Sequence, residues 1–392
     1  MKRFAKMVSD GKRRIKIHLT FNNWYSRILN NKTYLFCFKF LKFFLYFIIF
    51  IVGFCSIFLM GQIFNNASFN KSNVKLGQQI YLKSPKNIPI ERTMDIVMGA
   101  DDGYIQHSAA AIASILLNCD ASSNFRFHIL DGGISSDKKE KLLKLKKLRN
   151  FDIQFYDMTK YDWSIFPDNR GHTTLVTYYR LLIPQILPKN IQKALYLDGD
   201  IIVEQDLKEL WDVDISNYAL GAVEDSEGLE SRDRLSLSNK YFNAGVLLLN
   251  LTKLREINLL KDSVSYLEKN RKQIIYQDQD ILNGLFNNQY KDLPLKWNVN
   301  KDIYMNNKTK HIYSDRDSQI AKQNPGIIHF TGGSYLKPWH QEILHPLSHE
   351  YWNYYKYTDF YSPDQRNSIF FQLILMHAVL MKCCLNILLC KS

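Results

Sequence analysis

Short apolar runs of strand length recur along the middle of the chain, each closed by a polar cluster. Residues 94–100 come first, and 125–130, 151–156, 194–197, 218–223, 241–251 and 325–330 follow. Runs of this length with little polar alternation predict strands covered on both faces. Helical patterns stand between them. HSAAAIASILL (107–117) reads as a small-residue helix able to pack closely on a sheet. Asp137 with Glu140 makes a capping box for a helix running to about Leu148. A helix begins near Thr177 and stops near Pro184, another spans 258–271, and the polar run 276–280 precedes an apolar helix over 281–286. This strand–helix alternation predicts an α/β domain on a parallel sheet with right-handed crossovers.

The ends differ. Residues 1–33 form a basic, weakly patterned tail, and residues 1–42 hold eleven Lys or Arg against the single acid Asp10. FFLYFIIFIVGFCSIFLM (43–60) carries no charge over 18 residues, near the minimum for a bilayer span, and residues 34–41 extend it if Lys39 and Lys42 snorkel. A span would leave the N-terminus in the cytoplasm; a buried core helix is the other reading. Residues 61–92 read as a polar linker, and 369–392 are apolar again, fit for a membrane interface or a last docking helix. The net charge of +13 is thus partly local. A basic end beside an apolar segment points to an anionic membrane surface before nucleic acid. Of six Cys only Cys119 lies mid-chain, so the central domain has neither a disulfide framework nor a CxxC metal pair.

Candidate chemistry gathers at strand ends: Asp101, Asp198, Asp200, Asp225, Asn243 and His329. In ALYLDGDIIV (194–203) a buried strand closes on Asp198-Gly199-Asp200, and Gly199 supplies a turn. That places two carboxylates at the carboxyl edge of a sheet, where open α/β sheets bind ligands. Taken alone, Asp-x-Asp is more often a solvated turn. With His329 it makes a three-ligand set suited to a hard divalent cation with positions open for phosphate.

Seven ordered segments carry a family resemblance: MDIVMGADDGY (94–104), FRFHILDGGIS (125–135), TTLVTYYRL (173–181), ALYLDGDIIV (194–203), YFNAGVLLLN (241–250), YQDQDILNGLF (276–286) and HFTGG with KPWH (329–340). The chain resembles the family 8 glycosyltransferases, especially bacterial lipopolysaccharide galactosyl- and glucosyltransferases. The resemblance implies a GT-A domain over residues 93–345, Rossmann-like with a mixed central sheet; beyond it, the pattern of residues 346–392 reads as a helical region able to associate with a membrane. The resemblance also implies a retaining hexosyltransferase using UDP-galactose or UDP-glucose with manganese (magnesium as second choice) and acting on a glycolipid or oligosaccharide acceptor, lipopolysaccharide core above all. Asp198, Asp200 and His329 match the metal ligands. Gly99, Asp101 and Tyr104 match the nucleotide loop, with Tyr104 placed to stack on uracil. His172 and Thr173 match a loop over the nucleotide, and Gly332 and Lys337 match diphosphate contacts. Arg180, Asn243, Ala244, Asp278 and Gln279 match positions around the donor sugar, and Asp225 one near donor and acceptor. Gln279 stands near the reacting carbon and is a poor nucleophile, which favours front-face substitution over a covalent route through Asp278 or Asp225. Two other function classes share these residues: a non-catalytic nucleotide-sugar- or glycan-binding protein, and a membrane-tethered metal hydrolase. Location is read as the bacterial inner membrane, either side, with a single-pass Golgi enzyme as the eukaryotic counterpart.

Overall fold

In a computed structural model, which describes residues 93–167, 174–238, 240–287, 289–305, 312–333, 336–340 and 345–363, the first apolar run becomes β1 (Thr93–Ala100), buried from Met94 onward. It lies in a seven-stranded sheet with β2 (Asn124–Asp131), β3 (Asp152–Asp157), β4 (Lys193–Leu197), β6 (Leu220–Glu224), β7 (Phe242–Asn250) and β8 (Tyr290–Asp292), in the order β3-β2-β1-β4-β7-β6-β8. β5 (Ile201–Val203) and β9 (Ile327–His329) pair antiparallel as a separate ribbon, with Ile201 opposite His329.

The all-parallel expectation is corrected in the second half of the sheet. β1 runs parallel to β2 and β4, and β2 to β3, but β7 is antiparallel to both β4 and β6. The mixed sheet implied by the resemblance is the one found. Apolar patterning reports burial and says nothing of direction. β6 and β7 are sequential neighbours joined through a short helix, Gly228–Arg234, and the chain returns antiparallel instead of crossing over to a parallel position.

The strands separate two cores by their two-residue period. Ile96, Met98, Leu195, Leu197, Val246 and Leu248 face one core. Val97, Ala194, Tyr196, Ala244, Leu247 and Leu249 face the other. Helix α1 (Ile105–Asn118) covers the first, and its Ala109, Ala110, Ala111 and Ala113 expose nothing. Small side chains let its backbone lie close to its neighbours. Ser114 Oγ accepts from the Val203 N–H at 2.9 Å, which ties α1 to β5.

Local signals fared unevenly. α2 (Ser136–Leu143) is shorter than expected, and a 3-10 turn follows over Lys144–Lys147. Its N-cap is Ser135, and the Asp137–Glu140 box does not form; Asp137 pairs with Lys141 at 2.9 Å instead. Leu175–Leu182 is a 3-10 segment, and Pro184 does not stop it. That proline sits in the first turn of a short helix, Ile183–Ile186, where its missing N–H costs nothing. The polar run 277–280 is the first turn of α3 (Gln277–Phe286) rather than a lead-in to it. α4 (Ser348–Tyr355) docks on α1, with Tyr351 Oη 2.8 Å from His107 Nδ1. Residues 1–92, His172 and Thr173, and residues 364–392 lie outside the described residues, so the span expected at 34–60 does too. Among the described residues no helix is long and apolar enough to cross a membrane.

Candidate active site

β4 ends at Leu197 and the chain turns through Asp198-Gly199-Asp200 into β5. The turn is pinned at both sides: the Asp198 N–H donates to the Gly245 carbonyl and the Phe330 N–H to the Asp200 carbonyl, each at 2.9 Å. Gly199 is not in a left-handed conformation. Its need is space, since a Cβ there would stand 2.5 Å from Ser108 Oγ and 3.1 Å from the Tyr104 ring. The expected turn role gives way to close packing.

The β5–β9 register delivers the distant histidine. His329 Nε2 lies 3.4 Å from Asp200 Oδ1 and 3.8 Å from Asp198 Oδ2. Donor atoms of all three residues fall within 4.8 Å of one another. His329 and Asp200 are 3% and 7% exposed. Two carboxylates and an imidazole fit a hard divalent cation such as manganese or magnesium. Gly245 makes room for them, because its Cβ would fall 2.1 Å from His329 Cε1 and 2.8 Å from Asp198 Oδ2.

Two buried cations balance the acids. Arg180 Nη2 bonds Asp198 Oδ1 at 2.9 Å, and its Nε meets Asp278 Oδ2 at 3.0 Å. Its guanidinium lies over the Tyr196 ring at 4.3 Å, and the Tyr196 hydroxyl also donates to Asp198, at 2.9 Å. Lys337 Nζ pairs with Asp200 Oδ2 and donates to the Phe330 carbonyl at 2.7 Å. Burial opposes ionisation of Asp200, but Lys337 and His329 beside it hold its carboxyl well below the usual range.

Asp278 behaves differently. Burial pushes its carboxyl up to about 6 against the opposing pull of Arg180 and the Thr177 hydroxyl. A carboxyl with a raised folded-state pKa keeps its proton in the folded chain after the unfolded chain has lost it. Stability therefore falls as pH rises from about 4 to about 6 and is flat above. Asp278→Asn is expected to remove that slope; urea unfolding of both chains across this window measures it, and equal slopes would refute the assignment.

The other half of the cleft is a hydrogen-bonded network of side-chain amides around Asp225. Asp225 Oδ2 accepts from Asn243 Nδ2 and Gln279 Nε2, both at 3.0 Å. The Ala244 N–H donates to Gln279 Oε1 at 2.9 Å. Tyr241 donates to Asp280 Oδ1 at 2.7 Å, and Asp280 is held in turn by Arg234. Both halves line one cleft of about 260 Å³, together with Gly332 and Lys337. Gly332 has φ +95, a conformation that favours glycine.

The structure therefore brings together Asp198, Asp200, His329, Arg180, Asn243, Ala244, Asp225, Asp278, Gln279, Gly332 and Lys337. It places the nucleotide-loop residues outside that lining. Gly99 is buried at the end of β1, 3.0 Å from Val176 for an added Cβ. Asp101 accepts from the Tyr104 N–H at 2.9 Å and from the Thr174 hydroxyl at 3.3 Å. The Tyr104 ring packs edge-on to His107 and Trp339. Sequence reasoning missed Thr177, Tyr241 and Asn298. Thr177 and Tyr241 sat inside quoted motifs but carry no charge. Asn298 had one weak signal, the polar–apolar alternation in Trp297-Asn298-Val299-Asn300.

The family model described as Glycosyl transferase family 8 matches residues 95–343, which contain every one of these side chains. The chain belongs to glycosyl transferase family 8. This family 8 chain is 30% identical over 276 residues to general stress protein A of Bacillus subtilis, covering 68% of this chain and 95% of that one. It is 33% identical to a putative glycosyltransferase of Haemophilus influenzae, with coverage of 66% and 76%. It is 27% identical to lipopolysaccharide 1,2-glucosyltransferase of Escherichia coli K12, with coverage of 66% and 77%. Among solved structures, the galactosyltransferase LgtC in complex with donor and acceptor sugar analogues matches at TM-score 0.61 and 30% identity, over 70% of this chain and 99% of that one. That likeness bears out the GT-A-like α/β architecture with its mixed sheet.

Proposed function

We propose that this family 8 enzyme transfers galactose or glucose from a UDP-sugar to a saccharide acceptor of the lipopolysaccharide core type, with retention of anomeric configuration. The observation that carries the reading is a single cleft with two ends: Asp198, Asp200 and His329 at one, and the neutral set Asn243, Ala244 and Gln279 around Asp225 at the other. The first end suits a diphosphate with its cation, and the second suits hydroxyls of a hexose. A manganese or magnesium ion held by the three ligands would act as a Lewis acid on the diphosphate of the leaving UDP. Lys337 adds a second positive charge beside that position.

The engagement of the two acids bears on which retaining route we favour. Asp278 is engaged by Arg180 and Thr177, and Asp225 accepts from Asn243 and Gln279 through Oδ2 and from the Glu227 N–H through Oδ1. Both acids are committed to neighbouring side chains and Gln279 beside them is a poor nucleophile, so we favour a front-face displacement with an oxocarbenium-like transition state over a covalent intermediate. The acceptor's chemistry draws on the relative named a lipopolysaccharide glucosyltransferase, and attachment to a bacterial inner membrane draws on the resemblance to bacterial enzymes together with the apolar sequence of residues 34–60.

The test uses the full chain with manganese, UDP-galactose or UDP-glucose, and a panel of truncated lipo-oligosaccharides, read by product mass and by the anomeric signal. A mass gain of one hexose with retained configuration is expected. Free hexose released at a rate indifferent to acceptor would make the protein a hydrolase, and a sugar adduct on Asp278 or Asp225 would replace the front-face course.

A further inference from the structure

The geometry points to Asn298 as the positioning residue that fixes which nitrogen of His329 faces the cation site. This rests on the reading of Asp198, Asp200 and His329 as metal ligands. Asn298 is 4% exposed and lies in the segment between β8 and β9. Its side-chain oxygen is 2.8 Å from His329 Nδ1, and its Nδ2 is 2.9 Å from Asn243 Oδ1.

The polarity of this chain follows from groups whose roles are not free. A backbone N–H can only donate, and an ionised carboxylate can only accept. The Gly245 N–H points at the Asn243 side chain at 2.9 Å, so the atom it meets is the amide oxygen. The other end of the same amide faces Asp225 Oδ2 at 3.0 Å, so that atom is the NH2. Both constraints orient Asn243 the same way. Asn243 Oδ1 is then an acceptor for Asn298, which must present its own NH2 there. Its oxygen is left for His329, and an amide oxygen accepts, so Nδ1 of the imidazole carries the proton. In the neutral ring Nε2 then keeps its lone pair, and that is the nitrogen lying between Asp198 and Asp200.

The neighbouring amide repeats the device. The Ala244 N–H donates to Gln279 Oε1, and Gln279 Nε2 donates to Asp225 Oδ2. Two successive N–H groups of β7 therefore set two side-chain amides that converge on one carboxylate. One of these arms continues through Asn298 to His329. Asn298 touches no substrate position; it acts by holding the histidine in the tautomer that a metal requires.

The experiment compares the native full chain with Asn298→Asp and Asn298→Leu. Two readouts are taken: the nitrogen–proton correlations of the His329 ring without added metal, and manganese affinity measured calorimetrically without nucleotide. In the native chain the ring proton is expected on Nδ1. Asn298→Asp keeps an acceptor for that proton but loses the donor to Asn243, and is expected to bind manganese less tightly than native and more tightly than Asn298→Leu. Asn298→Leu keeps the volume, loses the acceptor, and is expected to lose about 10–100-fold in manganese affinity, with the ring proton no longer confined to Nδ1. A native ring protonated on Nε2, an Asn298→Leu chain binding as native, or an Asn298→Asp chain failing as far as Asn298→Leu would each overturn the inference. The native tautomer is read without metal and without any variant folding, so its outcome is separate from whether the chain transfers sugar.

Discussion

Gly245→Ala is expected to abolish measurable manganese binding and to leave about 1% or less of native sugar transfer. The added Cβ would meet His329 Cε1 at 2.1 Å, His329 Nδ1 at 2.9 Å and Asp198 Oδ2 at 2.8 Å. None of these is the loose end of a flexible side chain. The imidazole is 3% exposed and anchored to Asn298, and Asp198 is gripped by Arg180 and Tyr196. The backbone cannot yield easily either, because the Gly245 carbonyl accepts from the Asp198 N–H and its own N–H is bound to Asn243. Relief therefore comes from displacing the ring or the carboxylate by about 1 Å, and a misplacement of that size typically costs about a hundredfold in rate. Overpacking would add a stability loss of about 1–3 kcal/mol. Manganese titration beside a thermal melt separates the two effects. A variant that melts lower but binds manganese normally would show that the ligands are not held against β7 as described.

Arg180→Met is expected to destabilise the fold by about 3–5 kcal/mol, the usual cost of leaving a buried charge without its partner. Arg180 is 7% exposed, and Asp278, which it faces, is 3% exposed. Its planar fork serves Asp198, Asp278 and the Ala244 carbonyl at once while lying over Tyr196. Lysine offers a point charge in place of that fork, so Arg180→Lys should recover only part of the loss. Asp278→Asn in the Arg180→Met background removes the orphaned charge and should restore a substantial share. Urea unfolding of the single and double variants gives the comparison. An Arg180→Met chain within about 1 kcal/mol of native would mean that water already compensates these acids.

Much of this was legible in the sequence because burial leaves an apolar signature. β1, β2 and β7 read directly from their runs, and the acids closing β4 read from a polar pair set between two such runs. His329 was legible only beside them, since one histidine after a short strand has many uses. Direction within the sheet was not legible, because an antiparallel β7 is as apolar as a parallel one. Gly199 was noticed for the wrong reason: its lack of a side chain serves Tyr104 and Ser108, which no local pattern reveals. The Asp137–Glu140 box had the right residue types, yet Ser135 took the cap and Lys141 took the acid. Asn298 stayed hidden because its partners come from β7 and β9, and an uncharged amide acquires meaning only when folding sets it between them.

The ribbon of β5 and β9 carries a consequence of its own. It is three residues long on each side, and its register sets Ile201 opposite His329. Because side chains alternate faces along a strand, a slip of a single residue would turn the imidazole away from the two acids. The large sheet would be untouched by such an error. A molecule with that fault would pass spectroscopic and hydrodynamic tests of foldedness while being inert, so specific activity reports on a fidelity of assembly that bulk measures of structure do not see.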